Sequence, residues 1–335
     1  MKNFLVFTLL AVAFTLQAQV PKFITNQTWL NGDWVNQTRT NYTTDKNGFV
    51  LENIQEVWTP TATTWRATGR TTCTNNTSGL EVQSFIQYWD MSKNNWMTTY
   101  TVQNTYNASN KVSMNSKLGS NSGSSPSYEV TNYYYDTKGF LTSCETKRLD
   151  NNGVLTIASK ITYTNNSSGF PEKKQFTNFQ GGVAVNEVFT TYSYFSGGKV
   201  SEMVVQAKTG TGAWMNDYKT TSEYDVFGFL VSTEDFDWNG SNWAPSTRII
   251  VTNFPDGKID FWVHEMYAGN GTWQKWQKTT YDWLGTGTTG ISEFENDRAQ
   301  PVIYFDLNGR QVEKQKNVLL IEQLGNERRK IIIQE

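Results

Sequence analysis

A unit of about thirty residues recurs along this chain, and it constrains the fold more than any other feature. Trp34, Trp65 and Trp96 are spaced by 31 residues, and Gly48 and Gly79 each follow their tryptophan by 14 residues. The same offset returns late in the chain, in the pairs Trp214–Gly228 and Trp243–Gly257. A fixed period of this length is typical of arrays built from one supersecondary unit. Such an array presents repeated surface more readily than a single asymmetric catalytic pocket.

Each unit predicts two strands and two turns. A first strand runs from the tryptophan to a second aromatic residue, and a turn that contains Asp and ends in Gly leads into the second strand. Asp can hydrogen-bond the turn backbone, and Gly readily adopts the positive φ that ends the turn. The middle units, around Gly139, Gly169 and Gly198, keep the glycine but lack the tryptophan. The clearest predicted strands are 34–42, 49–58, 65–73, 80–89, 96–106, 140–149, 199–207, 214–224, 229–238, 243–254 and 258–267.

Eight full units and a partial ninth predict 17 or 18 strands and no helix longer than one turn. We therefore predict an all-β fold in which hairpins of about thirty residues stack into an elongated twisted sheet or solenoid. A β-propeller fits poorly because each blade needs about forty residues and four strands. An outer-membrane barrel would need apolar outward faces, and the stretch 170–176, which reads Phe-Pro-Glu-Lys-Lys-Gln-Phe, is charged.

The composition favours an ordered β protein with no nucleic-acid partner. Aromatic residues make up 14% of the chain and charged residues 18%, and the chain is rich in Thr, Asn and Ser. β-Branched and aromatic side chains suit a pleated sheet, and so many of them argue against disorder. The net charge of −2 gives no basic footprint for nucleic acid.

The two cysteines are predicted to be free and largely buried thiols. A pair of cysteines in an exported chain would ordinarily suggest a disulfide. The repeat register, however, places Cys73 and Cys144 two units apart. Successive hairpins would separate them by at least two strand spacings of about 4.8 Å, whereas a bridge needs Cα atoms within about 7 Å.

The first 18 residues predict a secretory signal peptide. Lys2 supplies the positive start, an apolar stretch extends from Phe4 to Leu16, and cleavage is expected after Ala18. The apolar stretch is shorter than the ~20 residues that a spanning helix needs. We therefore expect an exported protein with no membrane span.

The C-terminal residues predict three short strands, the first and second separated by an Asn308-Gly309 turn and the second and third by a Gly325-Asn326 turn. The pattern Tyr-x-Asp-Leu-Asn-Gly-Arg-x-Val, followed by an Ile/Leu-rich strand and a basic final strand, resembles the C-terminal sorting domain of type IX secretion substrates of Bacteroidetes-type bacteria. The resemblance implies the type IX machinery and a sortase as partners and a secreted or cell-surface location. The sorting-motif residues are Tyr304, Asp306, Leu307, Asn308, Gly309, Arg310 and Val312.

The turn Tyr-Asp-x-x-Gly-Phe-Leu, seen at 224–230, resembles the YD repeats of RHS-type bacterial surface and toxin proteins. This resemblance implies hairpin units that stack into a twisted sheet able to wrap as a shell, and it carries over no catalytic residue. The chain is thus predicted to comprise a signal peptide (1–18), a hairpin array (19–285), a linker (286–300) and a sorting-domain-like β segment (301–335).

Residues with catalytic or metal-binding patterns are sparse. The one histidine, His264, lies in a strand pattern and is predicted to be neutral and to face solvent. Carboxylates concentrate at Glu223, Asp225, Glu234, Asp235 and Asp237, where a turn and its following strand would point alternate side chains to solvent. The runs 150–153 and 237–240 resemble calcium loops faintly but lack further ligands, so they are interpreted as turns. No catalytic residue, metal or cofactor is predicted.

The recurring tryptophans are the candidate ligand-facing residues. Side chains at one register form ladders along a sheet, where aromatic contacts usually stabilise the fold, although exposed rings could bind sugars or partners. Trp273 and Trp276 are three apart, which places them on opposite faces of an ideal strand. We predict a non-enzymatic binding, adhesive or structural module. The alternatives are a carbohydrate-binding protein and a secreted hydrolase with unrecognised carboxylates. The candidate aromatics are Trp34, Trp65, Trp96, Trp214, Trp243 and Trp273.

Overall fold

The computed structural model describes residues 20–119, 127–150, 152–209 and 212–283, and the backbone of four short strands within 303–332. The predicted signal peptide and the predicted linker 286–300 lie outside the described residues.

The repeat region consists of eighteen antiparallel strands, within the predicted number. The predicted strands are confirmed to within about three residues at their ends, the usual uncertainty of element boundaries. The strands are β1 (Pro21–Leu30), β2 (Asp33–Thr44), β3 (Val50–Thr59), β4 (Thr64–Asn75), β5 (Glu81–Asp90), β6 (Asn95–Tyr106), β7 (Val112–Gly119), β8 (Tyr128–Tyr135), β9 (Leu141–Leu149), β10 (Leu155–Asn165), β11 (Pro171–Gln180), β12 (Val183–Tyr194), β13 (Val200–Thr209), β14 (Met215–Tyr224), β15 (Leu230–Trp238), β16 (Trp243–Asn253), β17 (Ile259–Gly269) and β18 (Thr272–Trp283).

The sheet closes on itself into a barrel, so the prediction of an open stacked array is wrong. Every strand pairs with the next along the chain, and β1 also pairs with β18, with Thr25 opposite Thr280. Closure removes the two unpaired sheet edges that an open array would expose. The unit was identified correctly, but the partner of its first strand lies about 250 residues away, where no local pattern points to it.

The turns that lead from each even-numbered strand to the next odd-numbered strand repeat one hydrogen-bonding scheme. In the first, Asp45 Oδ1 accepts hydrogen bonds from the backbone N–H of Asn47 and Phe49, and Gly48 N–H donates to the carbonyl of Asp45. Asn76, Asn107, Asp136, Asn166 and Asp225 play the same part in their turns. The predicted role of Asp is confirmed, and Asn performs it equally well because its side-chain oxygen is placed identically.

At most of these turns the glycine also packs against a side chain from the preceding unit. A Cβ placed on Gly79 would lie 2.1 Å from the ring of Phe49, and Gly79 has a φ of +77°. The residue after one glycine therefore packs over the next glycine around the barrel, which explains the Gly-Phe dipeptides of the repeat. The same contact occurs for Phe140 on Gly169, Phe170 on Gly198 and Phe229 on Gly257.

The register divides the side chains of the barrel between two continuous faces. We call the side that bears Trp29, Trp34, Arg39 and Glu56 the tryptophan face, and the opposite side, which bears Tyr42, the tyrosine face. Most fully buried side chains of the described residues lie on the tyrosine face, so the core is concentrated there. They are Ser84, Cys144, Thr190, Val205, Thr220, Val251 and Thr279.

The cysteine prediction is confirmed. Cys73 lies half-buried on β4, Cys144 lies buried on β9, and both are free thiols. Burial, together with the neighbouring Glu81 carboxylate, raises the pKa of Cys73 to about 12, and burial also raises the pKa of Cys144. Both thiols therefore hold their protons at neutral pH.

We expect iodoacetamide to label the native protein slowly. Because the thiolate is the reactive form, Cys73 should react at pH 8 more than about tenfold more slowly than free cysteine. Mass spectrometry of timed samples measures the rate, and the urea-unfolded chain should recover the rate of free cysteine. Rapid labelling of the folded protein would show that the thiol is not shielded.

The C-terminal strands form a separate four-stranded sheet, so the prediction of three strands is one too few. They are β19 (Ile303–Phe305), β20 (Gln311–Val312), β21 (Leu319–Leu324) and β22 (Glu327–Ile332). Tyr304 pairs with Val312, and Leu324 pairs with Glu327, as hairpins at the two predicted turns require. The motif residues 306–310 lie outside the described residues.

Candidate functional site

Cross-strand aromatic pairs line one end of the barrel on the tryptophan face. Trp58 lies opposite Trp65, with ring centroids 5.1 Å apart and planes at 63°. This edge-to-face arrangement is the favoured geometry for two aromatic rings. The pairs Trp29–Trp34, Trp89–Trp96, Trp238–Trp243 and Tyr267–Trp273 repeat it at 5.0 to 5.2 Å.

Cations from neighbouring strands cover several of these rings. The Arg39 guanidinium lies 4.8 Å from the Trp65 centroid, and Arg39 also forms an ion pair with Glu56 at 2.7 Å. Arg70 covers Trp96, Lys219 covers Trp243, Arg248 covers Trp273, and Lys275 covers Trp29. Trp34, Trp65, Trp96, Trp243 and Trp273 therefore have their rings in contact with other side chains of the sheet, which fits a structural role.

Trp214 differs from the other five candidates. All thirteen tryptophans lie within the described ranges, and Trp214, which is 38% exposed, is more exposed than any of the others. The β13–β14 register ends with Ala207 opposite Met215, and one further step would place Lys208 opposite Trp214. At the equivalent position four other units have Trp and one has Tyr. Its aromatic neighbour is instead Phe189 of β12, with centroids 5.9 Å apart. Without an opposing indole, part of the Trp214 ring stays open to solvent.

An open cleft of about 320 Å³ lies beside Trp214 on the tryptophan face. We call it the Trp214 cleft; it spans β11 to β14. Polar groups are fixed around it: Glu187 forms an ion pair with Lys208 and accepts a hydrogen bond from the Gln175 amide at 3.1 Å. The Lys208 ammonium also lies 5.2 Å from the Trp214 ring centroid. The residues lining the cleft are Gln175, Glu187, Phe189, Gln206, Lys208 and Trp214.

Sequence reasoning identified Trp214 but missed the rest of the cleft. Its other lining residues come from the degenerate middle units and their junction with Trp214, where the repeat gives no register. One signal was available: Lys208 stands six residues before its tryptophan, whereas an aromatic residue stands five to seven residues before Trp34, Trp65, Trp96 and Trp243.

His264 is half-buried on the tyrosine face, so the prediction that it faces solvent is wrong. Its ring packs 4.9 Å from the ring of Trp276, centroid to centroid, and among the described residues its buried Nε2 atom has no hydrogen-bond partner. Trp276 is the extra residue of a β-bulge between Lys275 and Gln277, which brings it against His264. Trp273 faces the other way toward Tyr267, so the prediction of opposite faces is confirmed.

His264 should make the stability of the protein fall in mild acid. Burial lowers its pKa, although the negative charge of Asp235 acts in the opposite direction. The unfolded chain, with a histidine pKa near 6.5, then binds the proton more readily. The stability that neutral His264 contributes to the folded protein is therefore complete above about pH 6.5, and it is lost as the pH falls toward the lower pKa of the folded state.

The measurement is urea unfolding of the wild type and His264→Gln at pH 5, 6 and 7. The wild-type midpoint should fall more than the variant midpoint between pH 7 and 5. Asp235, whose pKa burial raises, is present in both chains, and the variant removes only its interaction with the histidine. Equal pH dependence in the two proteins would contradict the assignment.

The five clustered carboxylates are not brought together. Asp225 caps its turn, Glu234 lies on the tryptophan face opposite Arg248, and Asp235 lies on the tyrosine face. Asp235 is also partly buried, and its two oxygens accept hydrogen bonds from Thr220 and Thr247 at 2.6 and 2.9 Å. Glu223 and Asp237 are exposed, whereas Glu234 and Asp235 are only partly accessible, and the group does not form a catalytic pair.

The two faint calcium-like loops are turns, as predicted. Asp150 Oδ1 accepts hydrogen bonds from the N–H groups of Asn152 and Val154, and Asn239 does so from Ser241 and Asn242. Across the part of the chain that the structure describes, no three His, Cys, Asp or Glu side chains are grouped to hold a metal ion. The described residues also contain no helix that could serve as a membrane span.

The fold and the cleft define an 18-stranded, closed antiparallel β-barrel protein. No family model and no curated protein matches its sequence. The chain is similar to a porin-like protein from Bacteroides uniformis at 12% identity, over 79% of this chain and 98% of that chain, with a TM-score of 0.38. It is also similar to the Photorhabdus luminescens Tc holotoxin pore at 10% identity, over 91% of this chain but 22% of the other, with a TM-score of 0.19. Likenesses this remote carry no argument about function.

Proposed function

We propose that this protein is an exported, non-enzymatic binding protein whose barrel is a rigid scaffold. The observation that carries the proposal is the Trp214 cleft, a concave site with a mixed aromatic and polar lining. The other tryptophans at the repeat position on this face pack against a second aromatic ring across the strand pair. Binding sites are typically concave, with aromatic surface and a few fixed polar groups. The reactive side chains support binding over catalysis, because the carboxylates are dispersed and His264 packs against Trp276.

Ionised groups on both faces support a barrel surrounded by water. The tryptophan face carries the Arg39–Glu56 and Arg248–Glu265 ion pairs, and the tyrosine face carries Arg148–Glu129. A lipid-facing barrel surface needs an apolar band about 25 Å tall. Charged pairs within the strands of either face are incompatible with such a band, which favours a secreted or surface-attached protein.

Export itself rests on the two chain ends. The apolar N-terminal stretch after Lys2 supports a signal peptide, and the Tyr304–Val312 pairing supports a hairpin at the sorting motif. We propose that the type IX machinery recognises this C-terminal segment and that a sortase removes it.

The test of export compares the full gene product with a chain truncated after Gly290, in a host that has the type IX machinery. The full chain should reach the medium or cell surface, and the truncated chain should stay in the periplasm. A periplasmic full-length protein, or equal export of the two chains, would refute the sorting role of the segment.

A further inference from the structure

The Trp214 cleft has the chemistry of a site for an uncharged sugar. We propose that it binds a neutral saccharide, with the exposed part of the Trp214 ring against a pyranose ring and the polar side chains around it bound to hydroxyl groups. This inference rests on the proposed binding function and names its ligand class.

The aromatic part of the cleft provides the apolar contact. Trp214 and Phe189 lie 5.9 Å apart with their planes at 57°, so they form an angled rather than a flat surface. A sugar ring has an apolar C–H side and a periphery of hydroxyls. An exposed indole that lies beside polar groups can contact the apolar side of the sugar while its hydroxyls remain free to form hydrogen bonds.

The polar part provides donors and acceptors on both sides of the aromatic surface. Gln175 belongs to β11 and Glu187 to β12, and Gln206 and Lys208 belong to β13. Gln175 and Lys208 are held by Glu187, and the Gln206 amide donates to Asn216 at 3.0 Å. Side chains held by one another lose little conformational freedom when a ligand binds, which favours recognition of many weak hydroxyl contacts.

The charges in the cleft argue for a neutral ligand. Glu187 and Lys208 neutralise each other, so neither an acidic nor a basic ligand gains a net attraction. An aromatic group with a carboxylate would otherwise suit a cationic ligand. Here the Lys208 ammonium already occupies that place, 5.2 Å from the Trp214 ring centroid.

Native gel electrophoresis of the mature protein through soluble neutral polysaccharides tests the proposal. The gels contain laminarin, xylan, glucomannan or dextran, and alginate serves as the acidic comparison. Wild-type protein should be retarded by at least one neutral polymer and not selectively by alginate. Trp214→Ala should weaken the association at least tenfold and Gln175→Ala severalfold, with cooperative melting transitions above the gel temperature showing that both variants are folded.

Phe227→Ala is the matched control, because Phe227 is 71% exposed and lies in the turn between β14 and β15, at the other end of β14 from Trp214. It should be retarded like the wild type. No retardation in any neutral gel, preference for alginate, or equal loss in the control would each overturn the saccharide assignment. Release of reducing ends from a retarding polymer would instead refute the non-enzymatic function and leave the site intact.

Discussion

Replacing Gly79 with alanine is expected to destabilise the barrel by about 2–5 kcal/mol. The φ of +77° strains any residue with a Cβ, at a cost of about 1–2 kcal/mol. The new methyl group would also lie 2.1 Å from the Phe49 ring, so the ring must move away from its position over residue 79. Such overpacking costs about 1–3 kcal/mol more. Urea unfolding followed by tryptophan fluorescence measures the change.

Gly48→Ala is the matched control for this prediction. Gly48 has a φ of +86° in the equivalent turn, but no atom of the described residues lies within 4 Å of the position of its Cβ. It should therefore cost only the backbone strain of about 1–2 kcal/mol. Equal losses at the two glycines would show that the contact between consecutive units contributes nothing to stability.

Trp65→Ala is expected to destabilise the protein by about 3 kcal/mol, near the lower end of what large aromatic truncations cost in cores. The variant loses the edge-to-face contact with Trp58 and leaves the Arg39 guanidinium without the ring beneath it. Arg39 keeps its ion pair with Glu56, so no unpaired charge is created. The loss should therefore come from aromatic packing and the cation–ring contact.

Trp214→Ala makes the matched comparison for Trp65→Ala. Trp214 is exposed and lacks an opposing indole, so its removal should cost about 1 kcal/mol, the ordinary size of a point-mutation effect. Chemical unfolding of both variants under one condition gives the difference. A Trp214 variant as unstable as the Trp65 variant would mean that Trp214 is also a structural residue, and the cleft would then lose its distinguishing feature.

The repeat predicted the strands and turns because both follow from local chemistry. The Gly48 turn could be placed from Asp45 and its glycine, and β2 and β3 from the residues on either side. β1 was given no bounds of its own, although Asn31-Gly32 marks a tight hairpin turn before Trp34, and both residues have positive φ. The environment of His264 was mispredicted because a β-bulge, which leaves no signature in the alternation, brings Trp276 against it.

By itself the sequence determined a chain of about nine hairpins, their turn glycines and two thiols that do not bridge. Those properties depend on contacts between residues close in the chain or at a fixed offset. The tertiary structure decided that β1 meets β18, which tryptophans are covered, and that Trp214 opens onto a cleft. An open spiral and a closed barrel share the same hairpin unit. The choice between them depends on the twist summed over eighteen strands and on pairing between chain ends, which no single unit encodes.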